Sequence, residues 1–142
     1  MSETILVTGS TGFIGSRLLE SLAEEGLHIR VFLRSESESN AAALPAGVEV
    51  IRGSFGDVVA LGRAVEGVQR IVHLAGVTKA VDEAGYDAGN VMPVRNLLAA
   101  VKGYNPGLKR FLLVSSLAAA GPASEGVRGV SESDSPCPVS AY

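Results

Sequence analysis

The chain has 142 residues, with 12 basic and 15 acidic side chains and a formal charge of −3. Its basic residues are scattered rather than striped, which argues against nucleic acid or an anionic membrane surface as the main partner. With 46% hydrophobic and 19% charged residues, it has material for a buried core and too little charge for a disordered polyelectrolyte.

Seventeen glycines favour a loop-rich nucleotide binder over a helical bundle, because glycine serves where backbone turns tightly or meets a ligand closely. The single cysteine, Cys137, excludes an internal disulfide framework and fits a reducing cytoplasm. It reads as an incidental loop thiol, with no histidine near it in sequence. No signal-peptide pattern is present, and no apolar run approaches the roughly 20 residues of a membrane span. A soluble, cytoplasmic protein is expected, and no metal ligands are assigned.

Thr4 to Thr8 is a short, nearly continuous apolar run, the pattern of a strand covered on both faces. After a glycine-rich turn, Phe13, Ile14, Leu18, Leu19 and Leu22 recur at helical spacing, and Gly26 supplies a stop. Ile29 to Leu33 and Val48 to Ile51 read as two more strands, with Ser35 to Ala43 between them as a surface loop. Asp57 is placed to cap a helix that buries Val58, Leu61 and Val65. Arg70 to Ala75 is a fourth strand ending in small residues.

Asn90 is placed to cap the next helix, with Val91, Val94, Leu97, Leu98 and Val101 facing inward. Pro93 is tolerated there because first-turn amides have no helical partner to lose. Phe111 to Val114 is a fifth strand, and turn formers dominate from Ala118 to Ala141. Strands alternating with helices imply parallel pairing through right-handed crossovers. The expected fold class is therefore α/β: a Rossmann-like, doubly wound parallel sheet of five strands in order 3-2-1-4-5. Residues 1–142 read as one NAD(P)-binding domain, incomplete at its C-terminal edge. Strand five would be an open edge, prone to aggregate or to pair with another copy.

Thr8-Gly9-Ser10-Thr11-Gly12-Phe13-Ile14-Gly15 lies between the first strand and the first helix, the context a dinucleotide fingerprint requires. Gly9 allows the sharp turn, Gly12 lets a pyrophosphate approach the backbone, and Gly15 lets helix and strand pack closely. The helix N-terminus, with Thr11, Phe13 and Ile14, offers free amides and partial positive charge to the phosphates. An NAD-preferring site ends its second strand with an acid for the ribose hydroxyls. Here the end reads Phe32-Leu33-Arg34-Ser35. Arg34 could face a 2′-phosphate and Ser35 could hydrogen-bond it, so NADP is favoured over NAD.

The Thr8–Gly15 segment resembles the N-terminal motif of extended short-chain dehydrogenases/reductases, the NAD-dependent epimerase/dehydratase group. His73-Leu74-Ala75-Gly76 is similar to that family's strand-four motif, and Asn90-Val91 with Asn96-Leu97-Leu98 to its helix-four motif. Phe111-Leu112-Leu113-Val114-Ser115-Ser116 resembles the strand that carries its catalytic Ser, and Pro138-Val139-Ser140-Ala141-Tyr142 the approach to its Tyr-x-x-x-Lys. The resemblance implies catalytic roles for Ser116 and Tyr142 and a structural role for Asn90. It places Leu74, Ala75, Gly76 and Asn90 along the cofactor; His73 itself reads as a buried strand residue with a satisfied nitrogen rather than an acid/base.

It further implies a small-molecule substrate, a nucleotide-sugar or another hydroxy or keto compound, and a homodimeric parent protein. Two positions depart from the pattern. The family often has Gly-Asp after strand three, where this chain has Gly53-Ser54, so adenine holding falls to Ser54 and the Phe55 backbone. The family's Tyr before the Gly that follows the catalytic strand is Ala120 here.

The family lysine would fall at position 146, so the chain is expected to be an N-terminal fragment. A phenol with an ordinary pKa near ~10 is a poor base at neutral pH without a neighbouring cation. A terminal carboxylate beside it pushes the pKa further up. The fragment is therefore expected to be inactive. A non-catalytic NADP-binding or sensing module, or a half-domain dimerising through its open edge, is the alternative.

Overall fold

The computed structural model describes residues 3–35, 44–123 and 129–142. Five parallel strands, β1 (Thr4–Thr8), β2 (His28–Leu33), β3 (Glu49–Arg52), β4 (Arg70–His73) and β5 (Arg110–Leu113), form one sheet in the order β3-β2-β1-β4-β5. This is the doubly wound Rossmann-like order expected from the alternation of elements. Of the Ser35–Ala43 tract, only Ser35 lies among the described residues, and it is exposed.

The apolar run of β1 has partners on both sides of the sheet. Ile5 and Val7 pack with Leu19, Ile29, Val31 and Leu33 beneath helix α1 (Phe13–Glu24). Leu6 points the other way, joining Phe32, Ile51 and Ile71 against helices α2 (Val58–Val65) and α4 (Met92–Tyr104). Alternate strand residues face opposite sides, so a sheet covered on both faces leaves no polar stripe in its central strand.

Local chemistry sets the helix ends. Gly26, at φ 68°, takes the left-handed conformation that closes α1. Its amide donates to the Ala23 carbonyl at 3.1 Å. The Asp57 side chain accepts the Ala60 amide at 3.0 Å and caps α2, as its position predicts. At the other end of α2, Arg30 donates to the carbonyls of Ala64 at 3.1 Å and Glu66 at 2.7 Å. Its Nε pairs with Glu49 at 2.7 Å.

Three helix faces differ from the expected ones. In α2, Leu61 and Val65 are buried, but Val58 is 62% exposed, and Ala60 and Ala64 complete the inner face. In α4 the inner face is Pro93, Leu97 and Ala100, with Val101 packed against it, while Val91 and Leu98 point outward. One helical face cannot hold both Leu97 and Leu98, since neighbours lie about 100° apart. In α1, Phe13 and Ile14 are exposed rather than buried.

Asn90 is not an N-cap. A short helix, α3 (Glu83–Tyr86), is capped by Asp82, which accepts the Gly85 amide at 2.8 Å. It runs through a π-helical turn (Asp87–Val91) directly into α4. The helix therefore begins before Asn90 and never needs a cap there. β5 is an edge, with Leu112 and Leu113 each about half exposed. Among the described residues no helix is long and apolar enough to cross a membrane.

Candidate functional site

The turn between β1 and α1 is built from close backbone contacts. Gly9 has φ 69°, and a Cβ there would meet the Ala75 nitrogen at 2.6 Å and the Leu74 carbonyl carbon at 2.7 Å. A Cβ on Gly15 would meet the Gly9 carbonyl oxygen and, at 2.7 Å, the Ser10 Cα. Gly9 thus lets the turn lie against the end of β4, and Gly15 lets α1 lie on the turn. Gly12 differs, because a Cβ there would meet only the Gly9 carbonyl oxygen, at 3.3 Å.

Gly12 stands at the N-cap of α1 without a side-chain cap. Ser16 makes the first bond back into the turn, donating to the Gly12 carbonyl at 2.9 Å. The amides of the first turn are therefore available to an anion beside an open backbone. That donor set, with bare backbone at its centre, fits a pyrophosphate.

Two adjoining clefts follow the C-terminal ends of the strands, where ligands of open parallel sheets bind. Both are lined by Gly9, Gly12, Leu74, Ala75, Gly76 and Val77. The smaller, about 570 Å³, continues over Thr11, Phe32, Leu33, Arg34, Phe55 and Gly56. The larger, about 1080 Å³, continues past Phe13 and Ile14 to Tyr86, Asn90, Ser116 and Tyr142. The arrangement suits an elongated ligand with a phosphate centre.

The two residues assigned catalytic roles are thus brought to one cleft, though 26 positions apart in sequence. Ser116 follows β5, and its Oγ accepts the Ala118 amide at 3.2 Å, which leaves the hydroxyl proton free to be donated. Tyr142 arrives by the chain folding back. The Cys137 amide donates to the Ala120 carbonyl at 3.3 Å. Gly121, at φ 76°, has no Cβ to strike the Cys137 carbonyl oxygen. The Tyr142 ring then lies 5.7 Å from the Tyr86 ring.

Not every assigned residue lines a cleft. Ser35 is exposed and lies outside both. Ser54 is outside them too, with its Oγ accepting the Gly56 amide at 3.3 Å, while Phe55 and Gly56 form the wall. Asn90 lines the larger cleft and braces the backbone after β4. Its Oδ1 accepts the Val77 amide at 2.7 Å, and its Nδ2 donates to the Val77 carbonyl at 3.1 Å.

Tyr86 and Val77 are cleft residues that sequence reasoning missed. The Asp82 cap before Glu83, an acid in the first turn of α3, was the available signal for a helix there.

His73 is buried, and only one of its nitrogens is satisfied. Its Nδ1 lies 2.8 Å from Thr8 Oγ1, which also accepts the Ala75 amide at 3.3 Å. Its Nε2 is buried without a partner. Burial pushes the imidazole down to about 4, so the ring is neutral at physiological pH. Among the described residues no three His, Cys, Asp or Glu side chains converge as a metal site.

Comparison with known proteins agrees with this geometry. The sequence profile of the NAD dependent epimerase/dehydratase family matches residues 5–142. The chain is 36% identical over 118 residues to ceramide reductase of Caulobacter vibrioides, covering 83% of this chain and 36% of that protein. It is 32% identical over 140 residues to a putative dihydroflavonol 4-reductase of Synechocystis, covering 96% and 39%.

Among solved structures, WbmG of Bordetella bronchiseptica in complex with NAD and UDP superposes with a TM-score of 0.81 at 28% identity, covering 100% of this chain and 46% of that one. MoeE5 in complex with UDP-glucose and NAD gives 0.79 at 30%, covering 98% and 44%. The chain spans less than two fifths of the length of these curated relatives. The chain belongs to the NAD dependent epimerase/dehydratase family.

Proposed function

We propose that the two clefts together hold NAD(P), and that residues 1–142 form the dinucleotide-binding part of an epimerase-, dehydratase- or reductase-type oxidoreductase. One observation carries the reading: an uncapped glycine turn, the bare end of β4, Ser116 and Tyr142 all border one continuous groove. The phosphates would sit on the Gly12 to Ile14 amides, the adenosine half beside Phe55 and Arg34, and the nicotinamide half toward Tyr142. Bound NAD(P) supplies the hydride acceptor or donor. Ser116 donates a hydrogen bond to the reacting substrate oxygen, and Tyr142 moves the proton at that same oxygen. Phe13 and Ile14 add apolar surface to the larger cleft.

The substrate class is a hydroxy or keto compound. The relatives' names support a ceramide- or flavonol-like molecule, and the UDP-glucose bound to MoeE5 supports a nucleotide-sugar. The longer protein would act as a homodimer in the cytoplasm.

NADP is the preferred cofactor in this reading because Arg34 borders the smaller cleft and no acid ends β2. The solved neighbours carry NAD, so the preference needs its own test. Calorimetric titration should give NADP the lower Kd, and Arg34→Ala should remove most of that advantage, on the order of tenfold for one charge-assisted contact. Tighter NAD binding would reverse the preference, and binding of neither would overturn the reading.

Produced as a polypeptide of these 142 residues, the protein has Ser116 and Tyr142 but no lysine four residues beyond the tyrosine. Hydride transfer monitored at 340 nm is expected to stay at background, since the resemblance assigns that lysine to binding the nicotinamide ribose and assisting the tyrosine. Turnover by that polypeptide would sink the Ser-Tyr-Lys assignment.

A further inference from the structure

Two asparagines, Asn96 within α4 and Asn105 at its C-cap, make the same kind of bond. Asn105 Nδ2 donates to the carbonyls of Val65 at 2.8 Å and Val68 at 2.7 Å, on the side of the sheet away from the clefts. Asn96 Nδ2 donates to the carbonyl of Phe55 at 2.8 Å, across 41 positions of sequence. Phe55 is part of the wall of the smaller cleft, together with Gly56 and Phe32. Asn96 itself lines neither cleft.

The loop that Asn96 holds is anchored at its start by the Gly53 amide, which donates to the Leu33 carbonyl at 3.0 Å, and at its end by the Asp57 cap of α2. Ser54 Oγ accepts the Gly56 amide at 3.3 Å, and the Asp57 amide donates to the Ser54 carbonyl at 3.0 Å, both within the loop. The Phe55 ring is half-buried, 5.3 Å from Phe32 and 5.5 Å edge-on from His73. Those ring contacts hold the side chain but make no bond to the Phe55 carbonyl. A carboxamide donor on the carbonyl sets the peptide plane, and with it the direction of the neighbouring amides toward the cleft.

We infer that Asn96 is a positioning residue for the adenosine end of the cofactor site, acting through the Phe55 carbonyl rather than by touching the ligand. The inference rests on the dinucleotide reading of the clefts. Ser54 stands where the family often has an Asp, and it lines neither cleft, its Oγ accepting the Gly56 amide within its own turn. Recognition at this end therefore falls to the loop backbone, which makes its orientation decisive.

The test uses the 142-residue chain with AMP, NMN and NAD as probes, each titrated calorimetrically, alongside urea unfolding. Asn96→Ala should weaken AMP and NAD by about tenfold, the scale of one well-made hydrogen bond, and leave NMN unchanged. Asn105→Ala should lose comparable stability in urea yet bind AMP, NMN and NAD as wild type does. Asn96→Asp, the same shape without the donor, should behave as Asn96→Ala does, and Asn96→His, which retains an N–H, should recover part of the AMP affinity.

Equal losses for AMP and NMN, or wild-type AMP binding by a folded Asn96→Ala, would overturn the assignment. Failure of the wild-type chain to bind AMP or NAD at all would overturn the underlying cofactor reading instead.

Discussion

Alanine at Gly9 or Gly15 should cost the chain about 3 kcal/mol or more, whereas alanine at Gly12 should leave stability within roughly 0.5 kcal/mol and abolish dinucleotide binding. The three glycines share one motif but face different surroundings. At Gly9 and Gly15 the obstructing atoms belong to backbone, Ala75 and Leu74 in one case and Gly9 and Ser10 in the other. No side chain can rotate away to make room. Gly9 also carries a positive φ that strains any residue with a Cβ.

At Gly12 the added methyl would meet one atom, the Gly9 carbonyl oxygen at 3.3 Å, a contact that a shift of a few tenths of an ångström relieves. It would stand beside the amides proposed to hold the phosphates. Urea midpoints and NAD(P) titration on the three variants separate these roles. A Gly12→Ala chain as unstable as the other two would remove the argument that its backbone is bare for a ligand.

Acid should destabilise the fold well before the ordinary carboxylates titrate, and His73 is the reason. Its folded value of about 4 lies below the unfolded 6.5, so below 6.5 the unfolded chain binds a proton that the folded chain refuses. The stabilisation is complete above pH 6.5 and is lost as pH falls toward 4. The slope is about 1.4 kcal/mol per unit, or roughly 3 kcal/mol across the window. Burial alone produces the shift. Charging the ring would also bury a second N–H without an acceptor, because Nε2 has no hydrogen-bond partner.

Glu3, held down chiefly by its hydrogen bond from Lys109, and Asp134, held down chiefly by the Ser131 amide, act below the usual carboxylate range and so below most of this window. Urea unfolding from pH 7.5 to 4.5 should show the slope, and His73→Gln should flatten it. A wild-type chain equally stable at both ends of that range would contradict the buried, neutral assignment.

Element order was legible because each strand is a short apolar run and each helix has a periodic apolar stripe. The β1 run and the capping Asp57 needed no tertiary information, since continuous apolarity reports cover on two faces and a cap acts within one turn. The glycine turn was legible for a related reason: its spacing encodes close backbone approach at fixed offsets. The helical path from Glu83 to Val91 was not, because it has few apolar residues and its π-turn breaks the 3.6-residue period. Asn90 looked like a cap because it stands just before the apolar stripe that begins at Val91, yet its carboxamide is spent on Val77, thirteen positions back.

What the sequence determined by itself is the α/β class, the strand order and the tight glycine turn between β1 and α1. All three follow from local pattern plus the handedness of strand crossovers. Tertiary structure alone decided which apolar residues leave the core. Phe13 and Ile14 continue the helical stripe of α1 but lie in its first turn, where they are exposed and line the larger cleft. It also decided that Tyr142 meets Tyr86 and shares a cleft with Ser116, through a chain reversal at Gly121 over Cys137. Periodicity specifies which residues share a face, but what that face meets depends on contacts many residues apart, and local spacing does not encode them.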